Sequence, residues 1–258
     1  MIAVSDALGA GDPNYPFQFG RPFVQGAIPH APGVLINGMA AASQADVKNR
    51  YPDGSVEFAV ISVIVPHIPA NGSVSLTFDD DLANDNTSLT QAQMAALLPI
   101  GSATMTLTPT SGLIGTADAG QMLADGNCRP WTSGPIAQTM ECADDTAVRK
   151  YDIGFGGGYH PFRPRFYVTF WPVTRQVFVR AVGENGLTTE QEDLAYKLAI
   201  TSNGTAVYTK DLTGTVPVGS PTKYSLIHWA NTRWSRGVLD RGRSPAPGQH
   251  RQQSGLSR

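Results

Sequence analysis

Residues 44–66, QADVKNRYPDGSVEFAVISVIVP, hold two extended runs on either side of Pro52-Asp53-Gly54. Proline presets the φ of a reversal and glycine takes dihedrals that other residues avoid, so the triplet marks a turn between two strands. The second run, Val56 to Val65, alternates at first and then becomes continuously apolar, as a buried strand does. The same grammar recurs along the chain. Residues 17–38 alternate short apolar runs with Pro and Gly and read as two or three short strands. GSVSLTF (72–78), ATMTLTP (103–109) and IAQTMEC (136–142) are further strands. RPRFYVTFWP (163–172) and RQVFVRAVGEN (175–185) make a hairpin with its turn at Pro172–Thr174. On its first strand Arg165, Tyr167 and Thr169 fall on one face, with Phe166, Val168 and Phe170 on the other. LAYKLAITSNG and AVYTKDL pair around Asn203-Gly204, and Lys223–Trp229 is a last strand.

Only 16% of the 258 residues are charged, against 27 Gly and 19 Pro, a balance that suits frequent reversals of an all-β chain. Two short helices interrupt it. Residues 90–98 carry capping-box spacing at Thr90 and Gln93 and stop at Pro99; residues 117–125 end at Gly126. The expectation is an all-β protein in two units: a β-barrel over residues 1–98 and a β-sandwich over 99–236.

From Arg236 the texture changes to RGVLDRGRSPAPGQHRQQSGLSR, where large apolar residues nearly vanish. Shifting the reading frame by one base from Gly237 allows VFWIGGAPPPVNIDNNLAYL, an ordinary globular sequence. Residues 237–258 are therefore expected to be a frameshift tail, disordered, on a truncated chain; a natural disordered tail is the alternative. Truncation would leave an apolar face bare and favour self-association.

Residues 1–235 carry 14 basic and 20 acidic groups, which argues against nucleic acid as a partner, since that needs a basic stripe. No run is long enough to span a membrane, and the N-terminus lacks the basic and apolar regions of a signal peptide. Cys128 and Cys142 flank a hairpin-like segment; a disulfide across it and two buried thiols both fit.

FGRPFVQGAIP, Gln44 and Pro52-Asp53-Gly54-Ser55-Val56 together resemble the N-terminal β-barrel of exo-rhamnogalacturonan-lyase-like proteins and related prophage tail-associated proteins. WTSGPIAQT, VRKYDIGF, FRPRFYVTFWP and HWANTRW resemble the β domain that follows it, so the resemblance spans most of residues 17–235. It implies fold more than function, because such domains accompany catalytic modules of several kinds. In the lyase-like relatives the catalytic residues are expected in a helical domain that this chain lacks.

Two segments hold candidate chemistry. Asp79, Asp80, Asp81 and Asp85, with Asn84 and Asn86, form the densest set of oxygen ligands, the kind that calcium prefers, although the spacing is not that of an EF-hand. A solvated acidic loop is the plainer alternative. GFGGGYHPFRPRF (154–166) places His160, Arg163 and Arg165 beside a glycine-rich loop, where Arg and backbone N–H groups would suit a carboxylate, lactone or uronate. A hairpin tip whose arginines cover a sheet explains the same residues. Glu184 is a candidate general base or a solvent-facing strand end.

These residues support two functions. The first is a calcium-assisted hydrolase of a small ester or lactone. The acidic loop would hold the metal, His160 or Glu184 would move protons, and Arg163 or Arg165 would steady the oxyanion. The second is a non-catalytic carbohydrate-binding or phage-tail scaffold, with Trp131, Trp171 and Trp229 as sugar-stacking candidates.

Overall fold

The computed structural model describes residues 1–6, 9–110, 114–144, 150–152, 162–185, 196–212 and 223–231; for Glu184, Asn185, Leu212 and 223–231 it describes backbone alone. Strands dominate, as expected. The first half holds β1 (Ile2–Ser5), β2 (Asp12–Pro22), β3 (Pro32–Ile36), β4 (Met39–Ala40), β5 (Ser43–Arg50), β6 (Val56–Ile68) and β7 (Ser73–Asp80). The second holds α1 (Gln91–Leu97), β8 (Ala103–Pro109), β9 (Gly115–Asp118), α2 (Ala119–Ala124), β10 (Cys128–Thr132), β11 (Gln138–Cys142), β12 (Phe162–Trp171), β13 (Gln176–Asn185), β14 (Tyr196–Ser202), β15 (Thr205–Leu212) and β16 (Lys223–Asn231). No helix among the described residues is long and apolar enough to cross a membrane.

In the first half, sheets β1-β7-β3-β4 and β2-β6-β5 face each other across one core of Val34, Ala45, Ile61, Val63, Val65 and Leu76. The chain passes between them at one corner. Ala41 donates its N–H to Val34 and Ala42 accepts from Ile64, so the expected barrel is built as two sheets joined along one side. The hairpin at residues 51–55 closes as its sequence demands. Gly54 has φ of 87° and donates to the Tyr51 carbonyl, while the Asp53 carboxylate takes the Ser55 N–H and hydroxyl.

Residues 17–38, expected to hold two or three short strands, hold the end of β2 and all of β3, but β2 begins earlier than expected, at Asp12. β2 runs eleven residues through Pro13, Pro16 and Pro22. It is an edge strand, paired with β6 alone among the described residues; Phe23 donates its N–H to Glu57, so by alternation the nitrogens of Pro16 and Pro22 face away from β6 and forfeit no ladder bond, while Pro13 lies at the start of the strand.

In the second half, sheets β10-β11-β12-β13-β16 and β15-β14-β8-β9 enclose a larger core. Phe166, Val168 and Phe170 of β12 all point into it, as their alternation requires. Leu89, Met94, Leu97 and Leu98 join the same core, so α1 belongs with the second half. Thr90 caps α1 by the reciprocal bonds of a capping box with Gln93, and Asp118 caps α2. Asn203 and Gly204 both have positive φ at the β14–β15 turn, the signature of a tight two-residue hairpin.

The halves are pinned by Gln44 of β5. Its side chain is 2% exposed. Its amide nitrogen donates to the Ser133 and Ala137 carbonyls at 3.1 and 2.7 Å, and its oxygen accepts from the Ile136 and Ala137 N–H groups at 2.8 and 2.9 Å. Two donors and two acceptor sites are the whole capacity of a primary amide. Gly134 is required beside it, because a Cβ there would sit 2.3 Å from the Gln44 side-chain oxygen. Around this peg, Gln18 bonds Ser62 and Thr139, Asp46 accepts from Ser133 N–H, and Ile64, Ala137 and Trp171 form a small apolar cluster. The docked second half explains β6: Ala59, Ile61, Val63 and Val65 face the first core while Ile64 faces the seam, so apolar residues are needed on both sides.

Gln44→Ala strands four buried backbone groups and is expected to cost about 2–4 kcal/mol, with each lost bond worth about 1 kcal/mol or somewhat less after relaxation. Gln44→Glu keeps the shape but cannot donate, so it should lose a similar amount at neutral pH. Urea unfolding checks both; a midpoint unchanged in either variant would refute the role of the peg.

Candidate functional site

The acidic segment follows directly from β7. Its carboxylates are taken up locally rather than converging. Asp79 accepts the Asp80 N–H, Asp81 that of Ala83 and Asp85 that of Thr87, each at 2.8 Å. Asp80 accepts the His30 N–H at 2.8 Å and pairs with its Nδ1 at 2.6 Å, which holds the Asp80 carboxyl below its ordinary range. Asn84 turns the other way and bonds both backbone groups of Ala45. Among the described residues no three His, Cys, Asp or Glu side chains gather as a metal site would require.

His160 and most of the glycine-rich loop lie outside the described residues, as does the Glu184 side chain; the backbone register sets Glu184 opposite Arg163. Arg163 lies 3.8 Å from the buried carboxylate of Asp152. Arg165 shares Glu141 with Arg129, whose Nε and Nη2 both lie at 2.8 Å from it. Burial raises the Glu141 pKa, but the two guanidiniums outweigh that and hold it lowered. Arg129, Glu141, Tyr167 and Arg180 form one cross-strand row on the outer face of the five-stranded sheet. This is the face assigned to Arg165, Tyr167 and Thr169 by alternation.

Asp125 at the end of α2 accepts from Lys150, Tyr151 and Gln121. Lys150 above all, then Tyr151 and Gln121, bring the Asp125 carboxyl down to about 2. Burial first and Asp125 second push the Tyr151 hydroxyl up to about 12.

The three tryptophans separate. Trp171 is 2% exposed and belongs to the seam, which corrects its assignment as a sugar-stacking residue. Trp229 sits opposite Phe178 in the β13–β16 register. Trp131 is 56% exposed. It is the extra residue where the β10–β11 register shifts between Pro130 and Thr132, and a bulge re-aims the side chain it carries. The hairpin beneath it is closed by a Cys128–Cys142 disulfide, so of the two readings open for the cysteines the bridge is the one formed. Lys48 of β5 reaches across the seam. Its ammonium lies 4.6 Å from the Trp131 ring centroid, donates to the Trp131 carbonyl and pairs with Asp46 at 2.6 Å. Asp46 and Lys48 carry no motif. Parity places Asp46 on the face of Gln44, whereas Lys48 sits where the β5 register shifts between Val47 and Asn49, which alternation does not foresee.

Reducing the disulfide, which closes a loop spanning 14 positions, should cost about 3 kcal/mol and lower the melting midpoint; equal melts with and without reductant would contradict this. For Asp125 the folded pKa is depressed. Its contribution is present above the ordinary carboxylate pKa and is lost as pH falls toward about 2. Asp125→Asn should therefore narrow its stability gap to the parent protein between about pH 5 and pH 2. A gap that is constant across that window, measured by urea unfolding, would show the carboxylate to be unlinked.

Compared with protein-family models, curated proteins and solved structures, the chain matches none of them.

Proposed function

We propose that this chain is a non-catalytic carbohydrate-binding scaffold whose platform is Trp131. The observation that carries it is a large indole left exposed on a rigid support. A free-standing tryptophan would fold back onto apolar surface. Here a disulfide-closed hairpin fixes the strand, a bulge turns the ring outward, and Lys48 stands against it. A sugar ring offers an apolar C–H face to an aromatic ring and hydroxyls to neighbouring polar groups. Asp46 and Lys48 supply an acceptor and a donor next to the ring, and Arg129, two residues before Trp131, extends the polar border.

The local use of the acidic carboxylates weighs against the hydrolase reading. Asp79, Asp81 and Asp85 each give one oxygen to a backbone N–H close by in sequence, and no three such side chains converge among the described residues. The resemblance to barrel and sandwich domains that accompany polysaccharide-degrading modules points toward a scaffold.

Isothermal titration against a panel of soluble polysaccharides is expected to find at least one saturable ligand. Trp131→Ala should weaken it by roughly tenfold or more, the loss of about 1.4 kcal/mol of stacking. Calcium-dependent turnover of esters or lactones by the purified chain, lost on Asp81→Ala, would overturn the scaffold reading in favour of the hydrolase.

A further inference from the structure

The strand that carries Trp131 is weakly held by its own ladder. Among the described residues β10 is the last strand of its sheet and pairs with β11 alone. Of its five residues only Thr132 is buried, Pro130 has no N–H to donate, and Trp131 falls out of register. Little apolar burial and few backbone bonds therefore tie it down. Past the strand the pairing ends with the Ala143 N–H on the Asn127 carbonyl at 3.2 Å. Side chains add to this within the hairpin: the Thr132 hydroxyl accepts the Thr139 N–H at 3.1 Å, and Arg129 pairs with Glu141. From the other half, Asp46 takes the Ser133 N–H, Gln44 donates to the Ser133 carbonyl and Lys48 to that of Trp131.

β11 is held far more firmly. All five of its residues, Gln138 to Cys142, pair with β12 on its other side. The segment that leads into it is gripped by Gln44 at Ile136 and Ala137. The disulfide joins these unequal strands on one rung, Cys128 directly opposite Cys142. Cys142 is fully buried in the second core, whereas Cys128 is half-buried at the edge of the sheet.

We infer that the Cys128–Cys142 bridge is a redox latch: a dithiol reductant releases β10, with Trp131 on it, and leaves the rest of the sheet closed. The thiolate of the reductant attacks the Cys128 sulfur, the sulfur–sulfur bond breaks, and its electron pair leaves on Cys142, which takes up a proton. The second thiol of the reductant then displaces Cys128. The protein has gained two electrons and two protons, and the reductant has become a cyclic disulfide. Two thiols need more room than one bridge, because a covalent bond gives way to a non-bonded contact. Cys142 cannot supply the room, since β11 is fixed by β12 and Gln44. β10 moves instead, between Asn127, whose N–H is held by the Met122 carbonyl, and Gly134. Trp131 and Ser133 thereby leave Lys48 and Asp46. Loss of a sugar platform rests on the Trp131 reading above; the latch itself does not.

The test is amide hydrogen exchange of the full chain with the bridge closed and after treatment with dithiothreitol, with opened thiols counted by alkylation. The Ser133 and Thr139 amides, bonded to Asp46 and Thr132, should exchange roughly tenfold faster or more once the bridge is open. Ala137, held by Gln44, and Val168, in the middle of the sheet, should keep their rates. Cys128→Ser, which is permanently open, should match the reduced chain; the wild-type comparison decides even if that variant fails to fold. A bridge that dithiothreitol leaves closed in the folded chain would overturn the latch. So would unchanged rates at Ser133 and Thr139, or an acceleration shared equally by Ala137 and Val168, which would mean that the whole unit loosens. A response of Ser133 and Thr139 in a chain that binds no polysaccharide would keep the latch and remove the platform.

Discussion

One side-chain amide holds the two halves in register. Gln44 spends both donors and both acceptor sites on the backbone of residues 133–137, so the contact works only at one depth and one angle. An apolar contact of the same area would tolerate sliding; four directional bonds do not. The apolar part of the seam is small, with Ile64, Ala137 and Trp171 at its centre. Specificity therefore comes from the polar peg, and the apolar cluster supplies the burial that keeps water from competing for those bonds.

The placement of Trp131 depends on that registry. Asp46 and Lys48 are on β5, two and four positions beyond Gln44, whereas the ring they meet is on β10. Holding Gln44 fixes where the ammonium stands relative to the indole. Fold and candidate site are in this sense one construction: the strand that joins the halves also provides one wall of the platform, and the disulfide of the opposing hairpin stiffens the other.

The all-β architecture was legible in the sequence because it is written in local chemistry. Pro52-Asp53-Gly54, the Thr90–Gln93 cap, Asn203-Gly204 and the alternation of β12 each announce their element within a few residues. β2 was obscured, since prolines that break a central strand are harmless on an edge, and edge position is a property of the sheet. At the acidic segment the sequence showed the density of charge but not the local bonding, in which Asp79, Asp81 and Asp85 each accept a backbone N–H one or two residues on. The three tryptophans could not be ranked from sequence, because exposure of Trp131 and burial of Trp171 follow from which face of one sheet the other half covers.

The order of strands in the smaller sheet of the second half bears on how the chain is made. β8 lies between β9 and β14, and Met105 faces Ile200 across the ladder. Every strand of the first half pairs within the first half, so that unit can close as soon as β7 has been synthesised. β8 has only its short neighbour β9 until β14 arrives, so its other edge stays unpaired while β10 to β13 are made. Synthesis therefore passes through a stage in which a finished first unit trails an open sheet edge, and the interval before β14 emerges is when the nascent chain is most exposed to mispairing.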